Sequence, residues 1–444
     1  MRDMTVGSAH SHLWRYALPL LIGNGLQLAY NAVDSMIAGR FIGREALAAE
    51  GIAGPVMNLV ILAVTGMCIG AGVLMSEAFG AKNSERWRKT LATTLRFGAV
   101  ACCIATALGI ALTPTILAWL AVPQEITRIT ALYLRVIFLG TPFTFFYNAL
   151  STALKSAGDS KTPLKFLAFS SILNAVLDLI FLGLLGFGIV CSAVTTVVAE
   201  ALSALLAGAY MLRKFPDLCP QRGDWTHERA LLGQILKYGA PTALQQAIMP
   251  IGKVLIQGQI NALGVNIIAA FNAVTRMDDF ACIPEMSLSS AISTYIAQNR
   301  GAKKTERIRP GLRAGIRLEL GYWVFIACFV TLLRAPIVSL FVTGDGAEEI
   351  VALGSQYLRY MAFFYLIPAL NNSLQGFYRG MGKMLTTMTG TLIQISVRTL
   401  CTFLLASRMG IVGVAFACAA GWACMFLCEL PYYFITCKKK ALSR

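Results

Sequence analysis

Long apolar stretches, separated by short polar segments, recur along the whole chain. We count twelve stretches of about 20 residues, the length an α-helix needs to cross a hydrocarbon core roughly 30 Å thick. They begin near Leu13, Ile52, Phe97, Ala131, Leu164, Ile189, Ile235, Ile267, Ala314, Val351, Leu385 and Ile411. The pattern predicts an all-α integral membrane protein with twelve transmembrane helices.

Short motifs of the first half return in the second half in the same order. Gly80-Ala81-Lys82 returns as Gly301-Ala302-Lys303, a shift of 221 residues. Three more pairs, shifted by 222 to 224 residues, are Ala17-Leu18-Pro19 with Gly239-Ala240-Pro241, Tyr133-Leu134-Arg135 with Tyr357-Leu358-Arg359, and Gly188-Ile189-Val190 with Gly410-Ile411-Val412. A near-constant shift indicates an internal duplication, which is common in transporters.

The duplication predicts two pseudo-symmetric bundles of six helices. Because six is an even number, both repeats enter the membrane in the same direction and are related by an axis along the membrane normal. We expect an N-terminal lobe over residues 1–211 and a C-terminal lobe over residues 237–444. The polar segment 212–236, which holds Pro216, Pro220 and Gly223, is predicted to be a cytoplasmic linker.

Composition supports a membrane protein and argues against a nucleic-acid partner. The chain is 57% hydrophobic and 14% charged, with a mean hydropathy of +0.65, unlike the roughly quarter-charged composition of soluble domains. The net charge of +16 is concentrated in alternate loops, such as those holding Lys82 to Arg96 and Arg300 to Arg313. The opposite loops hold only Arg40, Arg44, Arg128, Arg334 and Arg408. By the positive-inside rule, both termini are cytoplasmic and the basic loops face anionic lipid.

Two carboxyl groups of the first repeat lie inside apolar stretches, where an ionisable group needs a partner or a purpose. Asp34 ends an apolar run in the first helix, and Asp178 follows Asn174 by four residues on one face of the fifth. Thr196 lies as far beyond the turn near Phe187 as Asp178 lies before it, so the two have equal depth. These four side chains could bind Na⁺ or share a proton. The alternative is that Asn174 and Asp178 only hydrogen-bond neighbouring helices.

The second repeat lacks this acidic pair. Ile256, Arg398 and Thr402 stand at the positions that match Asp34, Asn174 and Asp178. The second repeat has other charged residues within its apolar stretches, namely Lys253, Arg276, Asp278, Asp279, Glu285 and Arg398. We expect these residues to form an internal ion-pair network. Its role is either structural or in substrate binding or gating. Glu200, Glu319 and Glu429 are expected near helix ends, in interfacial positions.

These features together resemble the multidrug and toxic compound extrusion (MATE) family. The resemblance is carried by Ala17-Leu18-Pro19, Gln27, Tyr30-Asn31-Ala32-Val33-Asp34, Gly80-Ala81-Lys82, Gln298-Asn299-Arg300-Gly301-Ala302 and the duplicated twelve-helix plan. It implies that Asp34, Asn174, Asp178 and Thr196 form the N-terminal cation site of the DinF-like branch. No acidic residue occurs in the stretch Gln245–Met249, where a NorM-type C-terminal site would place one.

The resemblance implies a secondary antiporter in a prokaryotic plasma (inner) membrane, driven by Na⁺ or H⁺ influx through alternating access. We expect lipophilic or cationic small molecules as substrates, membrane lipids as surroundings, no cofactor, no nucleic acid and a monomeric state. Candidates for a substrate cleft or a C-lobe polar network are Gln27, Tyr30, Asn31, Lys253, Arg276, Asp278, Asp279 and Arg398.

Two other functions stay open on the residues alone. A flippase for a lipid-linked precursor would need a basic cleft, for which Lys253, Arg276 and Arg398 are candidates. An intramembrane lipid enzyme has support only from Asp278-Asp279. ATP drive is disfavoured because no GxxxxGK[ST] motif is present.

Overall fold

Thirteen α-helices account for most of the described chain in a computed structural model. It describes residues 2–41, 44–226, 228–342 and 346–442, without the side chains of residues 31–35, 38–40, 44–47 and 436–442. The helices are α1 (Ala9–Phe41), α2 (Arg44–Gly80), α3 (Ser84–Trp119), α4 (Gln124–Ser156), α5 (Lys161–Asp178), α6 (Ile189–Lys214), α7 (Arg229–Asn261), α8 (Val265–Gly301), α9 (Ile308–Ser339), α10 (Ala347–Phe364), α11 (Leu366–Gly380), α12 (Met384–Met409) and α13 (Ile411–Leu442).

The predicted all-α membrane fold is confirmed. Each of the twelve predicted stretches begins in a different helix, if α10 and α11 count as one span bent by 46°. Within the described residues, eight single helices and this bent pair are long and apolar enough to cross a membrane. Helices α1, α7 and α8 fall below the same criteria of hydropathy and charge in the part that is described, because each contains polar residues along its length.

The chain divides into two compact units. The first unit comprises Met1–Asp3 and Leu18–Ala243, and the second comprises Met4–Ala17 and Leu244–Arg444. Both α1 and α7 therefore contribute residues to each unit. The lobe and linker limits expected from the sequence stay a prediction.

The repeated Gly-Ala-Lys motif closes α2 and α8 with the same backbone turn. Lys82 and Lys303 both adopt left-handed conformations, with φ of 55° and 57°. The next residue then donates its N–H back into the helix, from Asn83 to Ala78 at 3.0 Å and from Lys304 to Asn299 at 2.9 Å. This six-residue closure satisfies carbonyl groups at the helix end that would otherwise lack partners. The two repeats thus share local geometry as well as sequence.

Within the first unit, α2 packs against the early part of α7 through glycines. A Cβ atom at Gly66 would overlap the backbone of Ala243, and one at Gly70 would overlap the backbone of Gly239. Contact between backbones is possible only where side chains are absent, as in other membrane helix pairs. Gly54, on the same helix, has no atom within 4 Å of such a position.

We predict that Gly70→Ala destabilises the first unit by about 1–3 kcal/mol, because the new methyl group overpacks a backbone contact. Gly54→Ala is the matched control, since it adds the same group in open space and replaces a poor helix former. The thermal unfolding midpoint of the purified protein in detergent measures both effects. Equal midpoints for the two variants would contradict the close α2–α7 contact.

The segment between α6 and α7 is fixed to α3 by polar contacts. It contains two short 3₁₀ turns, Pro216–Leu218 and Arg222–Trp225. Asp224 accepts hydrogen bonds at 2.9 Å from Arg88 Nε and from the Gln221 N–H. Burial opposes the ionisation of Asp224, but these two donors outweigh it and lower its pKa below the ordinary value. The contact therefore stabilises this segment only while Asp224 is ionised.

Asp224→Asn is expected to loosen residues 216–225 at neutral pH. A depressed pKa in the folded state stabilises above the unfolded pKa of Asp, and this contribution disappears as the pH falls through the folded value. The wild-type protein and the variant should then become equal in acid. Hydrogen exchange of the segment, corrected for intrinsic rates, measures the difference, and Asp217→Asn at a nearby exposed position is the control. A difference that persists unchanged in acid would rule out this role.

Candidate functional site

A buried polar cluster lies where α5 meets α6 in the first unit. Asn174 and Asp178 project from the same face of α5, one turn apart, and are 2% and 0% exposed. Asp178 is the last residue of α5, and a π-helical segment, Leu179–Leu184, follows it directly. π-Helical turns carry an extra residue per turn and are frequent at functional sites.

Asp178 and Asn174 are bound by hydroxyl groups of α6 and α1. The Thr195 hydroxyl lies 2.5 Å from Asp178 Oδ1 and 2.8 Å from the Ser192 carbonyl oxygen. The Asn174 amide is best oriented with its oxygen accepting from the Thr196 N–H at 2.9 Å. Its nitrogen then donates to Asp178 Oδ2 at 3.1 Å and to the Tyr30 hydroxyl at 2.7 Å. This orientation is assigned from the hydrogen-bond pattern.

The structure brings together three of the four residues expected to form the cation site. Asn174, Asp178 and Thr196 converge, with the Thr196 hydroxyl 3.2 Å from the Asn174 amide. The fourth, Asp34, lies outside the side chains that are described, as does Asn31. Sequence reasoning missed Thr195, which is the direct partner of Asp178. It also assigned Tyr30 to a substrate cleft or C-lobe network, whereas its hydroxyl contacts Asn174; Gln27 is exposed.

The donor set of this cluster suits a small hard cation or a proton. A carboxylate, an amide oxygen and hydroxyl oxygens are ligands for such ions. Among the described side chains, no group of three His, Cys, Asp or Glu residues could hold a metal ion. Asp178 is the carboxyl group of the described cluster, and Tyr30, Asn174, Thr195 and Thr196 contribute neutral polar groups. Such a site can change its charge when a single ion enters or leaves.

A small cavity adjoins the cluster between α2, α4 and α6. Its volume is about 30 Å³, and it is lined mainly by apolar side chains, including Met57, Ile61 and Phe138. Its polar members are Thr141, Thr144, Thr196 and Glu200. This volume is enough for one or two water molecules. The Thr144 hydroxyl donates to Glu200. Glu200 was expected near a helix end, but it lies in the middle of α6, one turn beyond Thr196.

The C-terminal charges do not form the expected internal network. Lys253 and Asp279 make a salt bridge of 2.7 Å in which both side chains are half exposed, and Arg276 is exposed. Asp278 instead accepts hydrogen bonds from the tyrosine hydroxyls of Tyr357 (2.7 Å) and Tyr365 (2.5 Å). Arg398 is an electrostatic neighbour of Asp278, but no ion pair joins them in the part of the chain that is described. At Asp278, tyrosine hydroxyls take the place of the predicted ion pairs.

Two further glutamates were misplaced by the sequence argument. Glu319 lies well inside α9 and Glu429 well inside α13, and both are buried. Because α9 and α13 extend several residues beyond the apolar stretches, the helix ends lie farther from these glutamates than the sequence predicted.

Comparison with known proteins identifies the family. The family model MatE matches the chain twice, over residues 19–180 and 241–404, so the second match begins 222 residues after the first. The probable multidrug resistance protein YoeA of Bacillus subtilis is 29% identical, with 97% of this chain and 96% of the relative covered. YpnP of the same organism, also named a probable multidrug resistance protein, is 28% identical over 89% and 88%.

Solved structures share the fold over the full chain. A MATE protein crystallised in complex with MaL6 superposes with a TM-score of 0.92 at 21% identity, covering 99% of both chains. A MOP superfamily transporter from Pyrococcus furiosus, described as having a binding pocket of reverse polarity, gives a TM-score of 0.90 at 21% identity, covering 100% of this chain and 98% of the other. The repeated match and the shared fold lead to one conclusion: the chain belongs to the MatE family and is a multi-pass membrane transporter, not an enzyme.

Proposed function

We propose that this protein is a cation-coupled antiporter that exports lipophilic, often cationic, compounds by alternating access. Influx of Na⁺ or H⁺ would be coupled through Asp178, with Asn174, Thr195, Thr196, Tyr30 and Asp34. Assignment to the DinF-like branch and a monomeric state are parts of this proposal. So is a location in a prokaryotic plasma membrane.

The observation that carries the proposal is the complete burial of Asp178 beside the Thr195 hydroxyl and the Asn174 amide. An ionised carboxylate at this depth is costly, so the cluster favours occupation by a cation or a proton. Loss of that ion leaves a charge, which changes the interactions that α5, α6 and α1 make with one another. A ligand can shift a conformational equilibrium only through such a difference in affinity between states.

The class of substrate is supported by the cavity and by the relatives. The cavity beside Thr196 combines an apolar lining with the carboxyl group of Glu200, a pairing that suits the apolar body and positive charge of a lipophilic cation. Its present volume admits water only, so a drug would require the surrounding helices to separate. The relatives named as multidrug resistance proteins support the same class.

The lipid-linked precursor flippase is less well supported. It depends on a cleft lined by free basic groups, yet Lys253 is paired with Asp279 and Arg398 lies near Asp278. We therefore retain drug export as the proposed activity.

Asp178→Asn is expected to abolish ion-coupled export while the protein remains folded. The amide keeps the shape of the carboxyl group but cannot accept a proton or neutralise a cation. Uptake or release of a fluorescent lipophilic cation by proteoliposomes, under separately imposed Na⁺ and pH gradients, measures coupling and identifies the ion. Asp217→Asn, which removes an exposed carboxyl group of the same unit, is the control. Wild-type transport by the Asp178 variant would refute the site, and wild-type transport without either gradient would refute the antiporter.

Thr195→Val is predicted to weaken ion coupling more than Thr196→Val. Valine has the shape of threonine but removes the hydroxyl that lies 2.5 Å from Asp178; a hydrogen bond to a charged group contributes about 1.5–3 kcal/mol, or roughly a tenfold or greater change in ion affinity. Thr196 contacts only Asn174 in this cluster. The ion concentration that gives half-maximal transport measures both variants. Thr195→Ser should restore function, and a larger effect at Thr196 would contradict the assigned roles.

A further inference from the structure

In the second unit, α8 packs closely against α9 and α11 through four glycines. On α9, a Cβ atom at Gly311 would overlap Tyr295, and one at Gly315 would overlap Ile292. On α11, Gly376 and Gly380 approach the backbone of α8 at Ser289 and Ser293. Because these contacts leave no space for side chains, they fix the register of α8 relative to both neighbours.

The register places Glu285 of α8 opposite Glu319 of α9. The two helices are antiparallel, since a step forward from Gly311 to Gly315 corresponds to a step back from Tyr295 to Ile292. On the other side of the two glutamates from the glycines, the Tyr322 hydroxyl of α9 donates to the Ala281 carbonyl oxygen of α8 at 2.9 Å. Glu285 and Glu319 lie between the glycine contacts and the Tyr322–Ala281 hydrogen bond, and they are electrostatic neighbours.

Helix α11 also packs beside Glu285. Asn372 precedes Gly376 by one turn, as Glu285 precedes Ser289 on α8, so the two helices run parallel here. The Asn372 amide donates to Glu285 Oε2 at 3.1 Å. The contact confirms the register derived from the glycines.

The two carboxyl groups are buried and incompletely paired. Glu285 and Glu319 are each 1% exposed. One buried oxygen of each, Glu285 Oε1 and Glu319 Oε1, has no hydrogen-bond partner. In the described part of the chain, no Lys or Arg makes an ion pair with either group. In the described chain, the titratable groups that interact with these glutamates include Cys282, Tyr322 and Tyr365, none of which carries a positive charge.

We propose that Glu285 and Glu319 form a second site, which binds one monovalent cation, either Na⁺ or a proton shared by the two carboxyl groups. Two carboxylates side by side cannot both remain ionised in a buried position unless a cation lies with them. The Asn372 amide nitrogen already occupies one oxygen of Glu285, which leaves the unpaired oxygens of both glutamates to the cation. This site goes beyond the proposed function, because it involves α8, α9 and α11 and no residue of the Asp178 cluster.

The test uses the full-length Asp178→Asn protein, so that any ion bound at Asp178 does not contribute. Binding of radioactive Na⁺ is measured at equilibrium, and carboxyl protonation is followed by infrared difference spectroscopy of the C=O band during a pH titration. The same measurements are made after adding Glu319→Gln or, in a separate variant, Glu285→Gln. Glu429→Gln is the matched control, because Glu429 is another buried glutamate of the same unit and accepts a hydrogen bond from Gln375.

A sodium site predicts that the Asp178→Asn protein binds Na⁺ and that either added glutamine substitution abolishes this binding. A shared proton predicts no Na⁺ binding but two separate carboxyl titration steps, one of which is lost in each glutamine variant. Glu429→Gln should preserve whichever signal is found. If the Glu285→Gln and Glu319→Gln proteins both match their Asp178→Asn parent in Na⁺ binding and in the C=O titration, the proposal is wrong. Unfolding midpoints and size-exclusion profiles show which variants are folded. Since neither measurement involves transport, failure of this site would leave the coupling proposal for Asp178 intact.

Discussion

The interior of a membrane offers polar groups no water, so every polar group at depth must find its partner within the protein. Helices meet this requirement for the backbone. For the side chains the chain uses hydroxyl and amide groups more than opposite charges. Asp178 is bound by Thr195 and Asn174, and Asp278 by Tyr357 and Tyr365. Neutral partners stabilise a carboxyl group without fixing its charge, which is the property an exchangeable ion site requires.

Close helix packing determines where this requirement is met completely and where it is not. Glycines on α9 and α11 bring both helices against α8, and the glutamate side chains between them are buried. The same approach that buries Glu285 and Glu319 limits the number of groups that can reach them, and among the described residues Asn372 is the side chain that donates to the pair. Incomplete pairing at this point is therefore a consequence of tight packing. The two carboxyl groups are left to interact with each other or with an ion.

The sequence could predict the helices and part of the first site, because both follow from short-range spacing. Asn174 and Asp178 share a face of α5 for the simple reason that they are four residues apart. Counting from the turn, which assumes regular helices, placed Thr196 with Asn174 and Asp178 but missed Thr195, whose hydroxyl contacts Asp178 directly. The π-helical segment Leu179–Leu184 adds a residue to that path, and the direct contact falls on Thr195 instead of Thr196. The Glu285–Glu319 pair could not be predicted, because it depends on the register between two helices that only the glycine contacts define.

The two repeats show how one scaffold can give two electrostatic outcomes. On α12, the Thr402 hydroxyl donates to the Arg398 carbonyl oxygen at 2.8 Å, so the pair that matches Asn174 and Asp178 keeps its helical spacing. Its chemistry is reversed, because Arg398 carries a positive charge that cannot leave. That charge lies near Asp278 and Tyr357. In the proposed mechanism the first repeat accepts a mobile cation beside its aspartate, whereas the second repeat has the fixed positive charge of an arginine side chain at the matching position. The charge of Arg398 does not change when an ion binds nearby. The ion exchange that we propose for the second unit therefore takes place away from Arg398, at Glu285 and Glu319, which make no ion pair in the described part of the chain.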